Sequence, residues 1–181
     1  MLRRQLYGRM RRRVHAQKCE LMRSAVSGLT DMIALLRWDR AVGWYVMALV
    51  DVLDYWPQWH PGRAVVLGYL KSIAPRLVAA IEPKSGIWWL VMSQPGRAGN
   101  RLESSAASMF VYGFLKGVRK GYLTGSIYKP VAKRAYEYLV NNYIVKETDG
   151  TLGWEGTVLV GALDTPGDFD VSCCCCYSFL F

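Results

Sequence analysis

Four stretches of helical periodicity fill the middle of this 181-residue chain, and their apolar faces alternate between wide and narrow. From Trp38 to Trp56, the residues Val42, Tyr45, Leu49, Val52, Leu53 and Trp56 recur at three- and four-residue steps, the spacing of one helical face. Trp44, Met47 and Ala48 occupy the other side, so this first helix is apolar nearly all round and is expected to be buried on most sides. Pro57 ends it, and the loop QWHPGR leads to a second helix. There Val66, Tyr69, Leu70, Ile73, Leu77 and Ile81 form one stripe while Arg63, Lys71 and Arg76 face away. Pro75 removes a backbone donor inside that helix and predicts a kink at a cost of roughly 3 kcal/mol.

A third helix is expected after QPGRAGN, with Asn100 placed three residues before Glu103 as in a capping box. It continues through Ala107, Phe110, Phe114, Val118 and Leu123. Gly113 and Gly117 lower helix propensity there, which points to close packing against a neighbour. The fourth helix spans about Tyr128 to Val145, with Val131, Ala135, Leu139 and Tyr143 inward and Lys129, Lys133, Arg134 and Glu137 outward. A toroid of helical hairpins writes such an alternation, its inner helices shielded on both sides and its outer helices wetted on one. A plain four-helix bundle writes something similar.

The hydrophobic content of 52% allows one ordinary core. Seven Trp among 13% aromatics offer flat surfaces for stacking, and sugar rings are one such partner. The net charge of +9 suggests nucleic acid until it is mapped: residues 1–23 hold eight bases against one acid, and the other 158 residues hold fifteen against thirteen. The body is nearly neutral, so no basic groove is implied and no nucleic-acid partner is expected. The leader, residues 1–37, is Arg-rich and acid-poor, without the apolar core of a secretory signal. Asp31 interrupts VSGLTDMIALL, and nothing approaches the ~18 uninterrupted apolar residues of a membrane span. A cytoplasmic location is the expectation, or a secreted or periplasmic one if a signal stands further upstream. Cys19 stands alone, and Cys173, Cys174, Cys175 and Cys176 are consecutive in the low-complexity tail 162–181. Adjacent side chains on an extended strand point to opposite sides, so neither metal nor cofactor is expected.

The segment RWDRAVGWYVMALVDVLDYWPQWHPGR resembles the W-x-R-x-x-G-W-Y-x-M-A-L-V-D-V-L-D block of unsaturated glucuronyl and rhamnogalacturonyl hydrolases, glycoside hydrolase families 88 and 105. SGIWWLVMSQPGRAGNRLESSAASMFVYGFLKGVRKGYL and DGTLGWEGTVLVG are similar to consecutive blocks of family 105, so the resemblance spans Trp38 to Gly161. It implies an all-α fold, part of an (α/α)6 barrel of six hairpins, of which residues 38–161 supply roughly the last two and the strand-like stretch after them. It implies an enzyme that removes a terminal 4,5-unsaturated uronic acid from a pectin-derived, rhamnogalacturonan-type oligosaccharide, or from a glycosaminoglycan fragment. In the family an Asp protonates the C4–C5 double bond, water adds, and the product opens; this is hydration rather than cleavage by two carboxylates.

That general-acid Asp belongs to a block upstream of the tryptophan-arginine motif which this sequence does not contain, so the chain is expected to lack its acid and to be inactive as it stands. The alternatives are a remnant that binds an anionic sugar without turnover, or a basic nucleic-acid-binding protein driven by the leader. By position in the motif the resemblance assigns substrate binding to Trp38, Arg40 and Trp44. An Arg there grips the uronate carboxylate and a Trp stacks on the apolar face of the sugar. Without the resemblance, both Trp would be core residues and Arg40 a solvated helix-start residue. Glu103 is explained by capping, His60 by structure, and Asp51 and Asp54 match positions not assigned to catalysis. Three departures stand out: Asp39 replaces a small residue, Leu90 a Gln and Ser93 an Asp. The loss of resemblance into an Arg run and a Cys run predicts reading-frame errors at both ends. Hairpins without their neighbours predict exposed apolar surface and self-association.

Overall fold

Backbone hydrogen bonds at the start of the first helix set the arrangement of the helices in this computed structural model, which describes residues 38–158 and 176–180. The leader, Cys19 and Cys173–Cys175 lie outside the described residues. Helix α1 (Asp39–Tyr55) begins as the Asp39 N–H donates to Leu90 O at 2.9 Å and Trp38 bridges Val91. The same short segment reaches the third helix, because Leu90 N–H donates to Arg101 O at 2.8 Å and Glu103 N–H to Trp88 O at 3.2 Å. Residues 88–91 therefore tie the beginnings of two helices together.

Val42, Val46, Leu49, Val50 and Leu53 form the buried stripe of α1. The opposite side is not shielded as expected: Trp44 is 60% exposed, Ala48 is exposed and Met47 half-buried. The described helices cover one side of α1 only. Helix α2 (Pro61–Ala79) starts with His60 as its cap, whose Nδ1 accepts from Gly62 N–H at 3.1 Å. Leu70, Ala74 and Leu77 are its buried residues, and Lys71 and Arg76 face outward. Arg63 does not. Its guanidinium donates to the carbonyls of Leu53 and Trp56 and to the Tyr122 hydroxyl, closing the C-terminus of α1, where a cation meets the negative end of the helix dipole. Pro75 lies inside a continuous helix on its exposed side, as does Lys71, so water can satisfy the carbonyl left without a donor.

Helix α3 runs Ser104–Arg119 with Glu103, not Asn100, at its N-cap. The Glu103 carboxylate accepts from Ala106 N–H at 2.6 Å, while Asn100 is used earlier, its side-chain amide bonding Val91 N–H and the Val91 and Gln94 carbonyls. Asn and Glu can both accept from a helix start, and the loop claimed the Asn first. Helix α4 (Gly125–Tyr143) buries Tyr128, Ala132, Ala135 and Leu139. Trp88 joins α2, α3 and α4: its indole N–H donates to Leu77 O at 2.7 Å, its ring meets Phe110 edge-on at 4.8 Å, and Phe114 continues to Tyr128 at 5.2 Å. A small antiparallel sheet comes next, β1 (Ile144–Lys146), β2 (Leu152–Val158) and β3 (Cys176–Leu180), in that order, with an irregularity between Trp154 and Thr157. The fold is all-α with this sheet appended, part of a helical-hairpin toroid. No helix among the described residues is long and apolar enough to cross a membrane.

The glycine expectation holds at atomic detail. A Cβ on Gly113 would stand 2.4 Å from Val46 Cγ1, and one on Gly43 2.7 Å from Met109 Sδ, so α1 and α3 approach closely because two positions lack side chains. A Cβ on Gly117 would meet Leu123 of the following turn at 2.8 Å. Val46 is fully buried and cannot yield, so Gly113→Ala is expected to destabilise the fold by about 1–3 kcal/mol. Gly68, with nothing within 4 Å of its added Cβ, should become more stable as Ala by about 0.5–1 kcal/mol. Urea denaturation midpoints of the two variants, moving in opposite directions, check both.

Candidate functional site

The helix starts of α1 and α3 and the strand β2 converge on one buried cluster of polar side chains. Arg40 Nη2 donates to Glu103 Oε1 at 3.0 Å and to Thr157 Oγ1 at 2.6 Å. The Thr157 hydroxyl in turn donates to Glu103 Oε1 at 3.0 Å, and Ser105 Oγ adds a further contact to the same carboxylate at 2.7 Å. Glu103 is fully buried, a position a charged carboxylate occupies only when paired and well hydrogen-bonded. Both conditions are met.

Thr157 also borders a groove of about 560 Å³ lined by Trp44 and Met47 from α1, by Ser105, Ser108, Met109 and Tyr112 from α3, and by Trp154 from β2. Its walls are two indoles, two thioethers and a phenol, and its polar groups are hydroxyls. Trp154 is fixed in place, its indole N–H donating to Ser104 Oγ at 2.9 Å while Ser104 donates to Glu155 O at 2.7 Å. The Arg40 side chain keeps 23% of its surface exposed, and its bond to Thr157 sets the guanidinium beside the groove. Apolar flat walls, scattered hydroxyls and one flanking cation suit a ring that is apolar on its face, hydroxylated at its edge and anionic at one end.

Of the three residues singled out from the sequence, Trp44 lines the groove and Arg40 stands at its edge. Trp38 does not line it and packs instead against Leu90 and Val91. Trp154, Thr157, Met109 and Tyr112 were not anticipated. Trp154 could have been suspected as a tryptophan in a glycine-flanked strand, but only the sheet's docking on α3 brings it into the same groove as Trp44.

Asp39, adjacent to Arg40, is fully buried, and neither of its carboxylate oxygens has a hydrogen-bond partner. Burial first, and the charge of Glu103 second, hold its carboxyl well above the ordinary range, while nearby backbone amides and the Arg40 guanidinium oppose this without reversing it. Asp51 and Asp54 behave oppositely. Lys116 Nζ contacts Asp51 Oδ1 at 2.6 Å and Asp54 Oδ2 at 2.8 Å, Lys120 contacts Asp54 Oδ1 at 2.8 Å, and the Tyr112 hydroxyl donates to Asp51 at 2.7 Å. Hydrogen bonds from Lys116 and Lys120 depress Asp54 to about 2, Asp51 is lowered as well, and Lys116 is raised. These carboxylates clamp α1 to α3. No group of three or more metal-binding side chains occurs among the described residues.

A lowered carboxylate stabilises the fold above its unfolded value and loses that contribution as pH falls through its folded value. Wild-type thermal stability should therefore decline as pH drops from about 4 toward 2, and the Lys116→Met variant should decline much less across that window. Scanning calorimetry at a series of pH values reads the difference.

A family model described as Glycosyl Hydrolase Family 88 matches residues 22–171, reaching beyond the 38–161 block at both ends. A 24.9 kDa protein in the picA locus of Rhizobium radiobacter is 34% identical over 139 residues, covering 74% of this chain and 56% of its own length. An unsaturated 3S-rhamnoglycuronyl hydrolase from an Alteromonas species is 25% identical over 142 residues, covering 69% of this chain and 34% of the relative. Among solved structures, a family 105 glycoside hydrolase of C. acetobutylicum superposes with a TM-score of 0.71 at 35% identity, over 80% of this chain and 40% of that one. The chain thus spans between a third and somewhat over half of the length of these relatives.

Proposed function

Because the chain belongs to glycosyl hydrolase family 88, whose members include unsaturated glycuronyl hydrolases, we propose that its groove recognises a terminal 4,5-unsaturated uronic acid on a pectin-type oligosaccharide. The observation that carries this reading is the shared Thr157, which borders the groove and accepts the Arg40 guanidinium. It joins an aromatic slot to a fixed cation. In this reading Trp44 and Trp154 hold the faces of the sugar, the hydroxyls of Ser105, Ser108 and Tyr112 meet its edge, and Arg40 attracts its carboxylate. Trp38 acts one step back, by seating residues 90–91 against the start of α1.

Binding without hydration is the form of the function proposed for the chain as it stands. Protonating a double bond needs an acid in contact with the sugar. Among the described carboxyl groups near the groove, Glu103 is engaged by Ala106, Arg40, Thr157 and Ser105. Asp51 is held by Lys116 and Tyr112 and Asp54 by Lys116 and Lys120. Asp39 is sealed from solvent. In this reading none of these four groups serves as the general acid that the family resemblance implies.

An unsaturated uronyl disaccharide is therefore expected to bind while the ultraviolet absorbance of its double bond persists. Trp44→Ala, a change at an exposed side chain outside the core, should weaken binding roughly tenfold with no loss of thermal stability. Calorimetric titration alongside the absorbance trace tests both. Steady loss of absorbance would show turnover, and unchanged affinity in Trp44→Ala would rule the groove out as the binding site.

A further inference from the structure

The carboxylate of Asp39 is buried beside a functional arginine with nothing to bond it. It sits in the first turn of α1, where the helix dipole favours a negative charge, yet removal from water outweighs that help and its carboxyl is held toward the neutral form. The charged groups acting on it are Glu103, from the N-cap of α3, and its neighbour Arg40. Residues 90–91 present a backbone carbonyl and apolar side chains to this helix start, and β2 contributes the Thr157 hydroxyl to the Arg40–Glu103 cluster. One guanidinium therefore stands among two carboxyl groups, only one of which is bonded to it in this structure.

We propose that Asp39 is a positioning residue for Arg40, and that the proton on its carboxyl decides whether the guanidinium beside the groove is shared with one carboxylate or with two. With Asp39 neutral, Arg40 rests on Glu103 and Thr157, and the cluster carries no net charge. When Asp39 ionises, the cluster gains a negative charge, the guanidinium is drawn toward the helix start, and an anionic sugar arriving in the groove is disfavoured by both changes. The charge state is internal to the protein, so the effect is a pH limit on capture of anions that does not depend on the ligand's own titration. Its consequence for binding rests on the uronate reading of the groove.

A carboxyl whose folded value is raised contributes stability that is complete below its unfolded value and is lost as pH rises through the folded one. Wild-type protein should thus lose stability on the alkaline side relative to Asp39→Asn, which keeps the shape, and to Asp39→Ala, which carries a small side chain at this position.

The test follows the Arg40 guanidinium by NMR in the wild-type chain and both variants from about pH 5 to about pH 9, and titrates an unsaturated uronyl disaccharide at each pH. In wild type the Arg40 signal should move along a single titration above the ordinary carboxylate range, with affinity falling roughly tenfold across it. Both trends should vanish in the variants. An Arg40 signal that ignores pH in wild type, or that titrates identically in Asp39→Asn and Asp39→Ala, overturns the proposal. So does an Arg40 titration with no accompanying change in the affinity of a disaccharide that does bind. If no form binds the disaccharide while the Arg40 signal titrates only where Asp39 is present, the substrate reading falls and the coupling of Asp39 to Arg40 stands.

Discussion

The burial of the Glu103 carboxylate governs the rest of this structure. A charge fully withdrawn from water must be matched by hydrogen bonds and a countercharge, and the partners that supply them come from three separate elements. Arg40 comes from the first turn of α1, Ala106 and Ser105 from α3 itself, and Thr157 from β2. Satisfying one side chain therefore fixes the relative placement of two helix starts and a strand. The glycine-mediated approach of α1 and α3, and the lysine clamp at their far ends, hold the same pair along its length. The groove lies along this pair, with walls drawn from both helices and from β2.

Much of this was legible in the sequence because helical periodicity reports burial directly. The stripe Val42, Leu49 and Leu53 and the inward Ala135 and Leu139 of α4 could be read from spacing, and Gly113 announced a close contact through its cost to the helix. Other features were not legible, for reasons that are physical. Asn100 and Glu103 can both serve a helix start, and which one caps depends on a loop whose other end is Val91. Arg63 looked solvated because nothing local reveals that its guanidinium reaches back to the carbonyls of Leu53 and Trp56. The apolar far side of α1 promised burial, whereas Trp44 on that side borders an open groove. An aromatic at helical spacing has the same periodicity whether it meets a core or a ligand.

The candidate site divides in the same way. Trp44 and Arg40 were identified through a motif, and the structure sets them at and beside the groove. Trp154 and Thr157 lie more than a hundred residues further along the chain, and only docking of the sheet on α3 brings them in. Asp39 was visible as a departure from the family pattern, but its buried, unbonded state could be seen only in three dimensions. Conversely, Asp51 and Asp54 were set aside as acids from the sequence, but the lysines that pair with them arise from a different helix and were not foreseen.

The most direct test of the uronate-binding groove is to record the indole N–H resonances of the protein while an unsaturated uronyl disaccharide is added, with a neutral disaccharide of the same size as control. Trp44 and Trp154 are predicted to shift together with the uronate, Trp59 and the buried Trp88 to stay in place, and the neutral sugar to have little effect. Motionless Trp44 and Trp154 signals, or equal shifts with the neutral sugar, would contradict it.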